Sequence, residues 1–128
     1  MNISEASRKS GLTSKTVRYY ESIGLIEPAS RSANGYRTYG DSQLRELGFV
    51  HHARELGFTL DECRELLNLY RDRSRKSGSV KAMAMDKIND IQTRIDKLET
   101  MKQSLSELAS CCAGDDRPDC PILDSLAK

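Results

Sequence analysis

The stretch from Val80 to Ser110 contains neither glycine nor proline, and it constrains the fold more than any other feature. A helix of this length would span roughly 45 Å, which is too long for one small domain to bury. Its apolar residues alternate by three and four positions, the spacing of a coiled-coil seam. They are Ala84, Ile88, Ile91, Ile95, Leu98 and Leu105. We therefore predict that residues 80–110 form a dimerisation helix that packs on a second copy of the chain.

The seam is interrupted once, because Lys102 stands where the alternation expects an apolar residue. Met101 and Leu108 continue a second stripe there, which indicates that the apolar face rotates towards the end of the helix. The alternative is a single chain whose long helix folds back onto its N-terminal part. The mass of the protein in solution distinguishes the two arrangements.

Length and charge narrow the class of protein further. A chain of 128 residues suits one compact domain, or a small domain carrying a long helix, and excludes a large multi-domain enzyme. Residues 1–40 carry six basic and three acidic side chains, a net charge of +3, whereas residues 81–128 carry seven and nine, a net of −2. Contact with phosphate is therefore expected in the N-terminal part.

The sequence shows no membrane or export signal. No charged-then-apolar leader occupies its beginning, and no apolar run approaches the ~20 residues that a spanning helix needs. We expect a cytoplasmic protein without membrane contact. In that reducing compartment its four cysteines are expected to be free thiols or metal ligands rather than disulfides.

The first 24 residues predict a helix-turn-helix. Asn2 begins a short helix that Gly11 ends, and Thr13 caps a second helix that runs to about Ile23. The second helix of such a motif lies in the major groove of DNA. An ordinary helical hairpin with a solvated charged face is the alternative for this segment alone. The outward side chains of the second helix are Lys15, Thr16, Arg18 and Tyr19.

The next segment predicts a wing. Asn34-Gly35 lies between two short strand-like runs, the strongest local signal for a tight hairpin. A hairpin this short buries almost nothing. We therefore predict that the hairpin is a wing whose Tyr36 and Arg37 side chains contact a phosphate backbone.

Two scaffold helices and a loop follow. Asp41 begins the first helix, Gly57 ends it, and Thr59 to Glu62 form a capping box that opens the second. Cys63 lies on the apolar face of this second helix and is expected in the core. Residues 71–79 are polar and contain glycine, as expected for a loop.

Cys112 and Cys120 form the candidate metal site. They are separated by a short segment with Gly114 and Pro118, which gives enough slack for both sulfurs to reach one ion. Two soft thiolates suit a monovalent ion, Cu(I) or else Ag(I) or Au(I), with one ion per site. A tetrahedral zinc site would need four ligands, and the intervening aspartates are hard ligands. His51 and His52 are remote in sequence and are expected to be packing or surface residues.

Positive charge is expected around these thiolates. Pro121 is suited to begin a short terminal helix, whose positive end would point at Cys120 and favour its thiolate form. Lys81 is a second candidate source of charge, or else a solvated surface lysine. We favour Cys112 over the adjacent Cys111 as the ligand.

These motifs resemble the MerR-type transcriptional regulators along the whole chain. The N-terminal segments that carry the resemblance are Gly11 to Glu21, Gly24 to Ile26, Asn34 to Tyr39 and Arg54 to Phe58. The segment from Cys112 to Ile122 is similar to that of the copper-efflux (CueR-type) branch. The resemblance also implies that Ser77, where divalent-ion relatives have cysteine, is a residue near the metal. Cys111 departs from the small residue usual in the branch.

The resemblance implies a mainly helical fold and a mechanism. Residues 1–70 would form a winged helix-turn-helix domain with its scaffold helices, 71–79 a loop, 80–110 one strand of an antiparallel coiled coil, and 111–128 a metal loop with a short helix. The homodimer would bind double-stranded promoter DNA through Lys15, Arg18, Tyr19, Tyr36 and Arg37. Metal binding would bend and untwist this DNA so that RNA polymerase can engage the promoter.

The cysteines are also compatible with two other classes of function. A thiol redox regulator would use Cys112 and Cys120 as a reversible disulfide. A thiol enzyme or a metal carrier is disfavoured, because no base lies near a cysteine in sequence and storage alone leaves the hairpin and the basic first helices unexplained. We therefore predict a Cu(I)-responsive activator of copper-efflux genes that is not an enzyme.

Overall fold

The computed structural model describes residues 1–31, 33 and 35–128. It is mainly helical with one small antiparallel sheet, as predicted. The chain divides into two units, Met1–Lys81 and Ala82–Lys128. In chain order the elements are α1 (Ile3–Ser10), α2 (Ser14–Ser22), β1 (Ser30–Arg31), β2 (Arg37–Thr38), α3 (Asp41–Glu55), α4 (Leu60–Arg71), α5 (Ser77–Ser110) and α6 (Pro121–Leu126).

Local capping fixes the first two helices. The Asn2 side chain accepts a hydrogen bond of 2.9 Å from the Glu5 amide, and the Thr13 hydroxyl accepts one of 3.1 Å from the Thr16 amide. Gly11 ends α1 with φ of 79°, a left-handed conformation that favours glycine. The predicted start and stop residues of this helix pair are therefore confirmed.

Strands β1 and β2 form the wing, with Ser30 opposite Thr38 and Arg31 opposite Arg37. The predicted Asn34-Gly35 turn is described only in part, since Asn34, like Ser32, lies outside the described residues. The backbone of Met1 pairs with that of Tyr39, one residue beyond the end of β2. Its nitrogen and carbonyl pair with the Tyr39 carbonyl and amide at 2.9 and 2.7 Å.

Helices α3 and α4 supply the scaffold of the first unit. The Thr59 capping box at the start of α4 is formed, and Cys63 is fully buried as predicted. Arg71 at the end of α4 holds Glu46 of α3 through two hydrogen bonds of 2.7 Å. The apolar core of the unit is Ala6, Val17, Tyr20, Leu25, Ile26, Tyr39, Leu47, Val50, Ala53, Phe58, Cys63 and Leu67.

Helix α5 begins at Ser77 rather than at Val80, so part of the expected 71–79 loop is helical. Serine and glycine are tolerated there because the first turn of a helix leaves its amides without intrahelical partners. Most of the seam lies on the surface of the single chain. Ile88, Ile95, Leu98 and Leu105 are 46–61% exposed. Along the described chain no helix has the length and apolarity to cross a membrane.

Candidate DNA-binding surface and metal centre

The outer face of α2 carries most of the side chains predicted to meet DNA. Val17 and Tyr20 anchor this helix in the core, so Lys15, Arg18 and Tyr19 are exposed. Thr16 is less available, because its hydroxyl accepts a 2.9 Å hydrogen bond from the Thr13 hydroxyl. Thr16 therefore belongs to the helix cap as much as to the surface.

The wing brings two further predicted residues to the same side. Arg18 of α2 lines an open cleft together with Tyr36, Arg37 and the backbone around Met1. Tyr36 is 72% exposed, so its ring and hydroxyl are available to a partner. Helix α2 and the wing thus border one cleft, which is lined by two arginines and a tyrosine.

Arg37 is tied to the body of the unit. Its Nη1 donates to Glu21 Oε2 at 3.2 Å, and the Glu21 side chain is only 7% exposed. The Tyr39 hydroxyl is buried beside this pair, and its pKa is raised first by burial and then by the Glu21 carboxylate, with Arg37 opposing. No hydrogen bond of normal geometry joins the Tyr39 hydroxyl to Glu21 Oε1.

The metal loop brings Cys112 and Cys120 together. Cys112 follows the last turn of α5, where its amide donates to the Ala109 carbonyl at 3.1 Å, and Cys120 is the residue that begins α6. Both thiols are partly buried, and Cys112 lies near enough to the Cys120 thiol to help lower its pKa. Cys111 is exposed.

The start of α6 stabilises the Cys120 thiolate. The backbone amides of Leu123 and, to a lesser extent, Ile122 lower the pKa of this thiol, and Cys112 lowers it further against the effects of desolvation and Asp124. The Cys120 side chain makes no capping hydrogen bond at the start of α6. The predicted helix at Pro121 is therefore confirmed, and its N-terminal end favours the anionic sulfur.

The rest of the loop is folded by its own polar groups. The Asp115 carboxylate accepts from the Arg117 amide at 3.0 Å and from the Arg117 Nε at 2.8 Å. Gly114 adopts φ of 66°, which lets the chain turn just after Cys112. Within the described residues no group of three or more His, Cys, Asp or Glu side chains is placed to hold a metal. The donors that the loop brings together are the two thiols.

Comparison with known proteins identifies the family. The MerR HTH family regulatory protein description matches residues 1–69, and the MerR DNA-binding description matches residues 44–108. This chain belongs to the MerR family. HmrR of Sinorhizobium medicae, an HTH-type transcriptional regulator, is 52% identical over 128 residues, which cover 100% of this chain and 87% of that protein.

Two other members of the MerR family resemble the chain over nearly its whole length. The HTH-type transcriptional regulator CueR of Salmonella typhimurium is 48% identical over 127 residues, covering 99% of this chain and 92% of that protein. The crystal structure of the regulator PbrR691 from Ralstonia metallidurans, in complex with lead(II), matches with a TM-score of 0.85 and 34% identity. The match covers 98% of each chain.

Sequence reasoning missed three residues of this MerR-family surface. Glu21 and Tyr39 lie beneath the wing, and Arg31 lies opposite Arg37 in the hairpin. A signal for Glu21 was present, because it follows Val17 by four positions and so shares the buried face of α2. A carboxylate on such a face needs a cationic partner.

Ser77 and Lys81 are exposed in the first turns of α5. Among the described residues, no hydrogen bond joins the side chain of Ser77, Lys81 or Cys111 to the thiol of another cysteine. Their part in the metal site therefore remains a prediction.

Proposed function

We propose that this MerR-family chain is a Cu(I)-responsive transcriptional activator of copper-efflux genes. Its class is that of the metal-responsive MerR regulators. The observation that carries the choice of metal is the pairing of Cys112 with Cys120 at the start of α6. As a regulator of promoter DNA it would act in the cytoplasm of a bacterial cell.

The donor set supports a soft monovalent ion. Two thiolates satisfy Cu(I), Ag(I) or Au(I), whereas a divalent ion would require further donors. Asp115 is engaged by Arg117 at 2.8 Å, so its carboxylate is already partnered within the loop. The bis-thiolate site with one bound ion would carry a net negative charge, which the positive end of α6 offsets. Cys112 and Cys120 would hold the ion, and its bound presence would fix the loop in one conformation.

The long helix supports a homodimer. At ~1.5 Å per residue, the 34 residues of α5 span roughly 50 Å, so Ser77 and Lys81 stand at one end of this helix and Cys112 follows the other. In an antiparallel pair, the Ser77 and Lys81 of one chain would approach the metal loop of its partner. Lys81 would then place a positive charge near the thiolates, and Ser77 would add no further thiol ligand.

The DNA surface supports activation through the duplex. We propose that Lys15, Thr16, Arg18 and Tyr19 meet the major groove. The wing, which carries Tyr36 and Arg37 on β2 and its approach, would lie on the neighbouring backbone. Metal binding would favour a dimer conformation that bends and untwists the promoter for RNA polymerase. Such a deformation costs on the order of 1–6 kcal/mol. A tightly bound metal ion can offset this cost if it binds one conformer of the dimer more strongly than the other.

The neighbouring thiols also support a second candidate. With its lowered pKa, the Cys120 thiolate could attack the disulfide of an oxidised partner and release one thiol of that partner. Cys112 would then displace the second thiol, which closes the Cys112–Cys120 disulfide and leaves the partner reduced. The chain would then be a redox-responsive regulator. In that case oxidant would switch transcription while the metal is chelated.

One experiment separates these functions. Wild-type protein, Cys112→Ser, Cys120→Ser and the matched control Cys111→Ser would be loaded anaerobically with Cu(I) and analysed for bound metal and for transcription in vitro. We expect one ion per chain in wild type and Cys111→Ser, and loss of both metal and activation in the other two. Retained metal in Cys112→Ser or Cys120→Ser, or activation by oxidant alone, would refute the Cu(I) proposal.

A further inference from the structure

We propose that Arg31, rather than Arg37, supplies the charge by which the wing binds a DNA phosphate, and that Arg37 holds the wing against α2. Arg31 was not among the residues expected to contact DNA. The inference rests on the wing being part of the proposed DNA surface, but it is independent of the metal and of the cysteines.

The register of the hairpin puts the two arginines side by side. Arg31 of β1 lies directly opposite Arg37 of β2, so their side chains leave the same face of the ladder. Like charges at directly opposite positions destabilise a strand pair, and this hairpin is too short to offset that repulsion by burial. Each guanidinium therefore needs a partner.

Arg37 has an anionic partner within the protein. Its Nη1 lies 3.2 Å from Glu21 Oε2, and the carboxylate is buried on the inner face of α2 while the arginine side chain is 43% exposed. The Glu21 carboxylate offsets the positive charge of Arg37 at this position. It also fixes β2 to the helix that carries Lys15 and Arg18, which makes Arg37 a positioning residue.

Arg31 has no such compensation. Its Nη1 donates to the Gly35 carbonyl at 3.2 Å, a neutral acceptor that orients the guanidinium near the tip of the wing. No acidic side chain forms a salt bridge with it among the residues that the structure describes. The side chain is exposed, so its guanidinium is accessible to an anionic partner. A phosphate matches the planar donor fork of arginine and would relieve the repulsion between the two guanidinium groups.

The salt dependence of DNA binding tests this division of roles. The probe is a duplex that the wild-type protein selects from a random pool, and affinity is measured over a series of salt concentrations. Each lost phosphate contact lowers the slope of log affinity against log salt by about 0.9. We expect this loss in Arg31→Gln. The double variant Arg37→Gln/Glu21→Gln removes the whole ion pair and should leave the slope unchanged, whereas Glu21→Gln alone should make the slope steeper, because it frees the charge of Arg37.

Three controls make the result specific. Arg31→Lys keeps the charge and should keep the slope. Arg45→Gln removes an exposed charge from α3 of the same unit and should leave the slope unchanged. Thermal melting followed by circular dichroism establishes that each variant is folded. Arg37→Gln and Glu21→Gln are expected to melt at lower temperature than wild type, because each breaks the link between wing and α2.

The possible outcomes distinguish this inference from the proposed function. A lower slope in Arg37→Gln/Glu21→Gln with an unchanged slope in Arg31→Gln would overturn the inference while leaving DNA binding intact. If Lys15→Gln also left affinity and slope unchanged, the proposed DNA surface itself would be wrong. Recovery of the wild-type slope in Arg31→Lys supports a charge contact at position 31.

Discussion

The DNA-binding unit and the metal loop position their side chains by different means. In the first unit, buried residues such as Val17, Leu47 and Leu67 set the helices, and the helices set the surface. Of residues 111–128, all of them described, none is buried, and local hydrogen bonds shape the loop. The buried core therefore sets the surface of the first unit in advance. The conformation of residues 111–128 depends instead on a few polar contacts, and a bound metal ion would restrict it further.

The largest effect should come from the core of the first unit. Leu67 is fully buried, so Leu67→Ala should lower the free energy of unfolding by about 2–5 kcal/mol through lost burial and a cavity. Leu123 of α6 is 64% exposed and serves as the matched control, with Leu123→Ala expected to cost less than about 1 kcal/mol. Urea denaturation measures both. Equal losses would break the contrast between the two regions.

A smaller effect should come from the turn of the helix-turn-helix. Gly11 has φ of 79°, and an added Cβ would lie 3.0 Å from His51 Nε2. Gly11→Ala should therefore cost about 1–2 kcal/mol of stability and weaken DNA binding. Gly48 lies inside α3 with open space around it, and Gly48→Ala should instead stabilise by about 0.4–1 kcal/mol. Thermal melting that showed the same sign for both would contradict this account of the turn.

The smallest effect concerns protonation in the metal loop. The amides of Leu123 and Ile122 lower the pKa of Cys120, so its alkylation in metal-free protein should become fast at a lower pH than for a free cysteine. Asp124→Asn should lower this midpoint further, because Asp124 opposes the shift, and Cys112→Ala should raise it, because alanine has no hydrogen-bond donor. Peptide mapping by mass spectrometry after alkylation at a series of pH values measures Cys120 alone.

The same shift has a defined sign for stability. A depressed thiol pKa stabilises the folded loop at pH values above the ordinary thiol pKa, and this contribution is lost as the pH falls through the lowered value. A Cys120 midpoint at or above that of a free cysteine would show that α6 does not act on the sulfur.

Much of the fold followed from local rules. The caps at Asn2, Thr13 and Thr59 and the helix at Pro121 depend on neighbours within one turn, so the sequence alone predicts them. The start of α5 at Ser77 was missed because serine and glycine are read as loop residues, although the first turn of a helix accepts them.

The candidate sites were predictable to different degrees. Cys112 and Cys120 were expected together because few residues separate them and a flexible turn joins them. The link from Arg37 to Glu21 depends on how β2 packs on α2, and no local pattern reports such a contact. Arg31 and Arg37 are the same residue type in one short hairpin, so the sequence alone does not predict that their partners differ.

Both sulfurs of the metal loop come from a single short segment of one polypeptide. Under the proposed ligand assignment, each copy would bind its ion without a donor from another copy, and the number of ions per chain would stay the same when copies associate. A pair of copies would be able to hold one ion or two, so half-loaded molecules are a distinct species. Mixed pairs with one Cys120→Ser copy would reveal whether a single filled loop is sufficient to turn on the gene.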